Sequence, residues 1–216
     1  MRLAYLHGFA SGPGSTKARF FRERFAAAGR ELAVPDLAPD FTHMTITSML
    51  EIVDVLLDDG STVLLGSSLG AYLAALAAAR RPERVPAIVL MAPAFAFAER
   101  WERSVGEKAM AAWRRRGTAM VQHYGRAREE PLSIALLDDA RRYPDEPDPT
   151  CPALVLHGRR DDTVPLTAGE HFVARRSGVR RLVAYDAGHE LTEVMEPMWE
   201  QTSAFLEATS GDARTP

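Results

Sequence analysis

The chain has 216 residues, of which 46% are apolar and 25% charged, and its formal net charge is −3 at neutral pH. A globule of this length buries roughly 70% of the surface its unfolded chain would expose, which supports one domain with a full core rather than two, and the composition is that of an ordinary globular protein rather than a disordered or membrane-spanning one. The charge gives no reason to expect nucleic acid, which needs a clustered basic surface, and no run approaches the ~20 apolar residues of a membrane helix, so neither is expected as a partner.

Short apolar runs alternate with longer helical patterns, which is the signature of a mostly parallel sheet covered by helices on both faces. The first strand is expected at 2–6, because the apolar stretch after Met1 is too short for the core of a signal peptide. Ser15 then caps a helix carrying Phe20, Phe21 and Phe25, and Gly29 is placed to end it. A second strand at 31–34 follows. The next helix begins between Thr45 and Ser48. There Ser48 and Glu51 stand at capping-box spacing, and Met49, Leu50, Val53, Leu56 and Leu57 form the apolar stripe. A strand at 61–66 leads into residues 71–79, which are apolar all round and predict a helix packed inside the protein. The fourth strand is expected at 85–91.

After Pro93 the alternation stops until Ala153, an interval too long for a bare loop. It predicts an Arg-rich helical stretch at 98–116 with Trp101 and Trp113, a hairpin near 118–130, a helix near 132–142 and a proline-rich linker from Asp145 to Pro152. Strands at 152–157 and 180–185 complete a sheet of about six. The chain thus divides into a core of 1–93 and 151–208, a cap insertion with its linker at 94–150, and a tail at 209–216. Cys151 is the single cysteine, which rules out an intrachain disulfide and fits a reducing, cytoplasmic setting.

The strongest local signal is Gly66-Ser67-Ser68-Leu69-Gly70, lying between the strand Thr62-Val63-Leu64-Leu65 and the Ala-rich helix. This is the strand, sharp turn and helix that a Gly-x-Ser-x-Gly nucleophile elbow requires. A serine hydroxyl needs an imidazole to take its proton, and the imidazole needs a carboxylate to fix its tautomer. Asp161 and Asp162 lie on the loop after the strand that ends at His157, and His189 lies on the loop after the strand at 180–185. The order Ser, Asp, His is the one found in α/β-hydrolases, and all three loops leave the edge where open parallel sheets bind ligands. Taken singly, each residue also fits a bland role: a glycine-rich turn, a surface turn acid, a solvated loop histidine. Agreement of three loops in order and edge favours catalysis, while spacing alone does not separate Asp161 from Asp162. Charge on a tetrahedral intermediate must meet placed N–H donors worth about 3 kcal/mol each. The backbone N–H of Leu69 and that of Phe9, on the loop after the first strand, are assigned to it. The side chains of His7 and His157 are expected to be structural.

With these residues in place, the chain resembles the α/β-hydrolase superfamily from Arg2 to Leu206. The resemblance rests on Gly66 to Gly70, on Gly-x-x-Asp-x-x-Val-Pro from Gly158 to Pro165, and on Gly188-His189. The second pattern favours Asp161 as the acid. More narrowly, Tyr5-Leu6-His7-Gly8-Phe9 with Ser11, Pro13, Ser15, Lys17 and Ala18 is similar to the start of the YqiA-like small bacterial esterases. The resemblance implies an α/β-hydrolase fold with a helical cap. It also implies hydrolysis of a small-molecule carboxylic ester by Ser68, His189 and Asp161, without a cofactor.

Phe95, Phe97, Trp101 and Trp113 are candidates to line an acyl pocket in the cap, although aromatic residues at helical spacing also form a cap's own core. Met110 and Met120 fall under the same reading, and Arg114-Arg115-Arg116 reads as a solvated face. Three rivals share the same residues: a thioesterase, an acyltransferase and a peptidase. A hydrolase-like binding module would keep the pocket without turnover. No His-Glu-x-x-His pair is present, so no metal site is expected.

Overall fold

Five apolar runs pair in parallel to form the central sheet of the computed structural model, which describes residues 2–176 and 179–211. In chain order the elements are β1 (Arg2–Leu6), α1 (Thr16–Ala27), α2 (Ile46–Asp58), β2 (Thr62–Ser67), α3 (Leu69–Arg80) and β3 (Ile88–Met91). Then come α4 (Phe97–Val105), α5 (Glu107–Arg116), β4 (Thr118–His123), β5 (Arg128–Ser133) and α6 (Ala135–Ala140). The chain returns through β6 (Ala153–Gly158), α7 (Leu166–Ala174), β7 (Arg180–Tyr185) and α8 (Met195–Gly211). The sheet order is β1-β2-β3-β6-β7, with β4 and β5 forming a separate antiparallel hairpin.

The sheet has five strands rather than about six, because the expected strand at 31–34 contributes one bridge, Ala33 to Ala4. Its two hydrogen bonds are Tyr5 N–H to Ala33 O at 2.8 Å and Ala33 N–H to Leu3 O at 3.0 Å. The next donor that a parallel ladder needs belongs to residue 35, a proline without an N–H, so pairing stops there.

Alternation along the strands sorts their side chains onto two faces. Leu3, Tyr5, Val63 and Leu65 pack with α1 and α8, whereas Ala4, Leu6 and Leu64 pack with α2 and α3. Every residue of α3 from Leu69 to Ala78 is buried, as its uniformly apolar sequence predicts, and its many alanines allow close approach to the sheet. Helix α1 is capped by Ser15, whose hydroxyl accepts from Ala18 N–H, and the chain leaves it through Gly29 at φ 68°. In α2 the capping box is Thr45 with Ser48 rather than Ser48 with Glu51. The helix therefore starts one turn earlier than the Ser48 spacing indicates.

Residues 94–150 hold α4, α5, the hairpin and α6, close to the expected sequence of elements. Trp113 ties α5 to β5 through its indole N–H on Leu132 O, and the Asp139 carboxylate accepts from Thr47 N–H and Thr47 Oγ at the start of α2. Residues 209–211, expected in the tail, continue α8, and 212–216 lie outside the described residues. Among the described residues, no helix is long and apolar enough to cross a membrane.

Candidate active site

Because the five strands are parallel, the loops after β1, β2, β6 and β7 all open at one edge of the sheet. The turn after β2 carries Ser68, which links strand to helix within a single residue at φ 53° and ψ −115°. A non-glycine residue in this region is strained by about 1–3 kcal/mol. Hydrogen bonds hold it there: Ser68 N–H donates to Met91 O at 2.8 Å, and Ser68 O accepts from Ala71, Tyr72 and Ala94 N–H groups. The flanking glycines have a steric cause. A Cβ at Gly66 would lie 2.4 Å from Gly70 O, and one at Gly70 would lie 2.0 Å from Leu6 O. Only residues without a side chain let the turn pass this close to itself and to β1.

The loop after β7 brings His189 to this serine. His189 Nε2 lies 3.0 Å from Ser68 Oγ, and His189 Nδ1 lies 2.8 Å from Asp161 Oδ2. Asp161 comes from the loop after β6 and its carboxylate is fully buried. Its Oδ1 accepts from Val164 N–H at 2.7 Å and Thr163 N–H at 2.9 Å, and His157 Nε2 stands 3.3 Å from Oδ2. Burial by itself raises the carboxyl pKa. The hydrogen bonds from His157, His189 and Val164 outweigh it and hold Asp161 well below the ordinary carboxylate range. Asp162 is exposed, and its carboxylate meets only the neighbouring Thr163 hydroxyl. Geometry therefore separates the two acids that spacing left open.

His157 is fully buried, and its Nε2 lies 2.9 Å from Val164 O, on the loop that presents Asp161. His7 is also buried. Burial pushes its pKa down, and Leu37 N–H donates to its Nε2 at 3.1 Å. The proton therefore sits on Nδ1, which donates to Gly8 O at 3.0 Å. Since a trans peptide points its C=O and N–H in opposite directions, this bond turns the N–H of Phe9 away from the His7 ring. Among the described residues, neither Phe9 N–H nor Leu69 N–H donates to another protein group. Leu69 is also the first residue of α3, where the helix presents its positive end.

The four aromatic residues of the 94–150 segment occupy different settings. Phe95 is buried against Phe172, with ring centroids 4.9 Å apart, and Trp113 is buried in the α5 to β5 junction. Phe97 is buried beside Trp101 at 5.3 Å. Trp101 alone is partly exposed, and it meets the Phe9 ring edge-on at 4.3 Å. Sequence reasoning did not anticipate this contact between α4 and the loop after β1. A cavity of about 400 Å³ between α4 and α7 is lined by Phe95, Arg100, Glu146 and His171 among others, and not by Ser68, Asp161 or His189. Among the described residues, no cluster of three or more His, Cys, Asp or Glu side chains could hold a metal ion.

Solved structures share this architecture. Est1E from Butyrivibrio proteoclasticus is similar with a TM-score of 0.79 at 18% identity, over 97% of this chain and 88% of that one. Alpha/beta hydrolase domain-containing protein 10 from mouse has a TM-score of 0.76 at 20% identity, over 95% and 89%. The monoacylglycerol lipase of Paleococcus ferrophilus has a TM-score of 0.73 at 14% identity, over 96% and 94%. The fold is thus that of the α/β-hydrolases. A comparison with the curated proteins finds no relative. The family model described as "Uncharacterised protein family (UPF0227)" matches residues 2–207, and the chain belongs to this YqiA-like family.

Proposed function

We propose that the protein is a serine esterase that hydrolyses small carboxylic esters through an acyl-enzyme on Ser68. The observation that carries this reading is the unbroken hydrogen-bonded series from Ser68 Oγ through His189 to Asp161, presented on a strained strand-to-helix turn. Similarity in fold to an esterase such as Est1E and to a monoacylglycerol lipase supports the choice of ester chemistry.

In this reading Ser68 Oγ attacks the acyl carbonyl while its proton passes to His189 Nε2. Asp161 stabilises the imidazolium through the Nδ1–H bond and keeps the ring in the orientation that exposes Nε2 to the serine. The carbonyl oxygen becomes an oxyanion held by the N–H groups of Phe9 and Leu69. Collapse of the intermediate breaks the C–O bond, and the His189 proton leaves with the alcohol. Water then repeats the sequence: His189 takes its proton, hydroxide adds to the acyl carbon, and Ser68 Oγ departs with the proton returned. Residues 94–150 act as a cap, with Trp101 as the aromatic side chain best placed to meet substrate and the other three supporting it.

The reading is tested with p-nitrophenyl acetate. The Ser68→Ala variant should fold as the parent does and lose hydrolysis. Turnover in that variant equal to the parent's would refute the assignment.

A further inference from the structure

We propose that Lys17 is a positioning residue for His189, a reading that rests on the esterase mechanism above. Of the 26 basic Lys and Arg residues only Lys17 and Lys108 are lysine. Lys108 is exposed on α5, whereas the Lys17 side chain is 9% exposed. Lys17 occupies the second position of α1, where the helix dipole opposes a cation, and it gives up hydration as well. A buried cation at the unfavourable end of a helix needs a specific partner. The partner is the residue that follows His189: Lys17 Nζ donates to Glu190 O at 2.5 Å and to Glu190 Oε2 at 3.1 Å.

The two bonds are not equivalent. The Glu190 side chain is 75% exposed, so its ion pair is screened by solvent and contributes little. The carbonyl bond is made by a buried ammonium to the backbone, and it fixes the Glu190–Leu191 peptide, one residue beyond His189. On its other side the same loop is anchored to the end of β6. Arg160 N–H donates to Ala187 O at 3.0 Å, and Gly158 packs so closely that a Cβ there would lie 2.4 Å from Ala187 O. The His189 loop is therefore held between β6 and α1, with Lys17 the clamp on the α1 side. A compact ammonium suits this enclosed contact with one carbonyl, and the planar fork of an arginine does not. This accounts for a lysine at a position where the rest of the chain would use arginine.

The test compares Lys17→Met, Ser68→Ala and Lys108→Met in the full chain, with p-nitrophenyl acetate as substrate and thermal unfolding followed in parallel. Methionine keeps most of the aliphatic stem and removes the ammonium. Lys17→Met should remain cooperatively folded and lose kcat by about tenfold or more, because small displacements of a catalytic group are costly. KM should stay within about twofold, as expected when transition-state interactions alone are lost. Lys108→Met should retain the parent's kcat. Hydrolysis that depends on Ser68 but is undiminished in folded Lys17→Met overturns the role of Lys17 alone. In a variant that still folds, a fall in kcat that disappears once activity is normalised to the folded fraction overturns it too. Hydrolysis that survives in Ser68→Ala overturns the underlying mechanism and this proposal with it. Should Lys17→Met unfold, Lys17→Gln carries the same expectation and the same overturning results, since its shorter side chain stops short of Glu190 O.

Discussion

Asp161 concentrates more hydrogen bonding on one side chain than any other residue of the site. Two backbone N–H groups on Oδ1 orient the carboxylate, leaving Oδ2 to His189 and His157. Replacing it with asparagine keeps the shape but puts an N–H₂ group where an acceptor is needed. Asp161→Asn should therefore fold and lose kcat by about 10³–10⁴-fold, as expected when the imidazole is held in the wrong tautomer. Steady-state kinetics beside a circular dichroism spectrum check this. From the sequence, Ser68 and His189 could be singled out by motif and order, but Asp161 and Asp162 could not be ranked without a resemblance. The distinction lies in backbone direction: the turn from 161 to 164 points one carboxylate inward onto its own N–H groups and leaves the other in solvent. Spacing carries no record of that.

At the scale of elements, the β2 to α3 turn was readable because its glycines answer to hard contacts. Gly70→Ala would force a methyl group into the Leu6 carbonyl. It should cost about 3 kcal/mol or more, the upper end for overpacking a rigid site, read as a lower urea midpoint or as loss of soluble protein. The tie between the end of the 94–150 segment and β7 was not readable, since it joins Asp148 to Arg176 and to the buried Arg180. The Arg176 guanidinium beside Asp148, aided by Arg180, holds this carboxyl at about 2. A depressed folded value means that the contribution to stability is complete above the ordinary value of 3.8 and is lost as the pH falls towards about 2. Asp148→Asn should therefore flatten the loss of stability between those pH values while lowering stability at neutral pH. Acid titration of the two proteins, monitored by tryptophan fluorescence, makes the comparison. The strand expected at 31–34 falls short for a local reason, because Pro35 has no N–H to donate, and apolar runs alone do not register such a break.

For the whole molecule, the parallel sheet does most of the assembly. Once each strand runs the same way, Phe9, Ser68, Asp161 and His189 emerge at a common edge without any direct instruction from their own neighbourhoods. That much was legible, because alternation of strand and helix determines direction and motif order determines which loops matter. The arrangement of residues 94–150 over this edge was legible only as a list of elements. Its contacts, such as Trp101 against Phe9 and Gly125 N–H on Ala10 O at 3.2 Å, join segments far apart in the chain and depend on tertiary packing. In the proposed mechanism the Ser68 hydroxyl is activated by His189. This activation is tested most directly by treating the protein and its His189→Ala variant with a fluorophosphonate and mapping the adduct by peptide mass spectrometry. One adduct is expected, on Ser68, formed far more slowly without the imidazole. An adduct on another residue, or labelling of Ser68 at the same rate in both proteins, would contradict it.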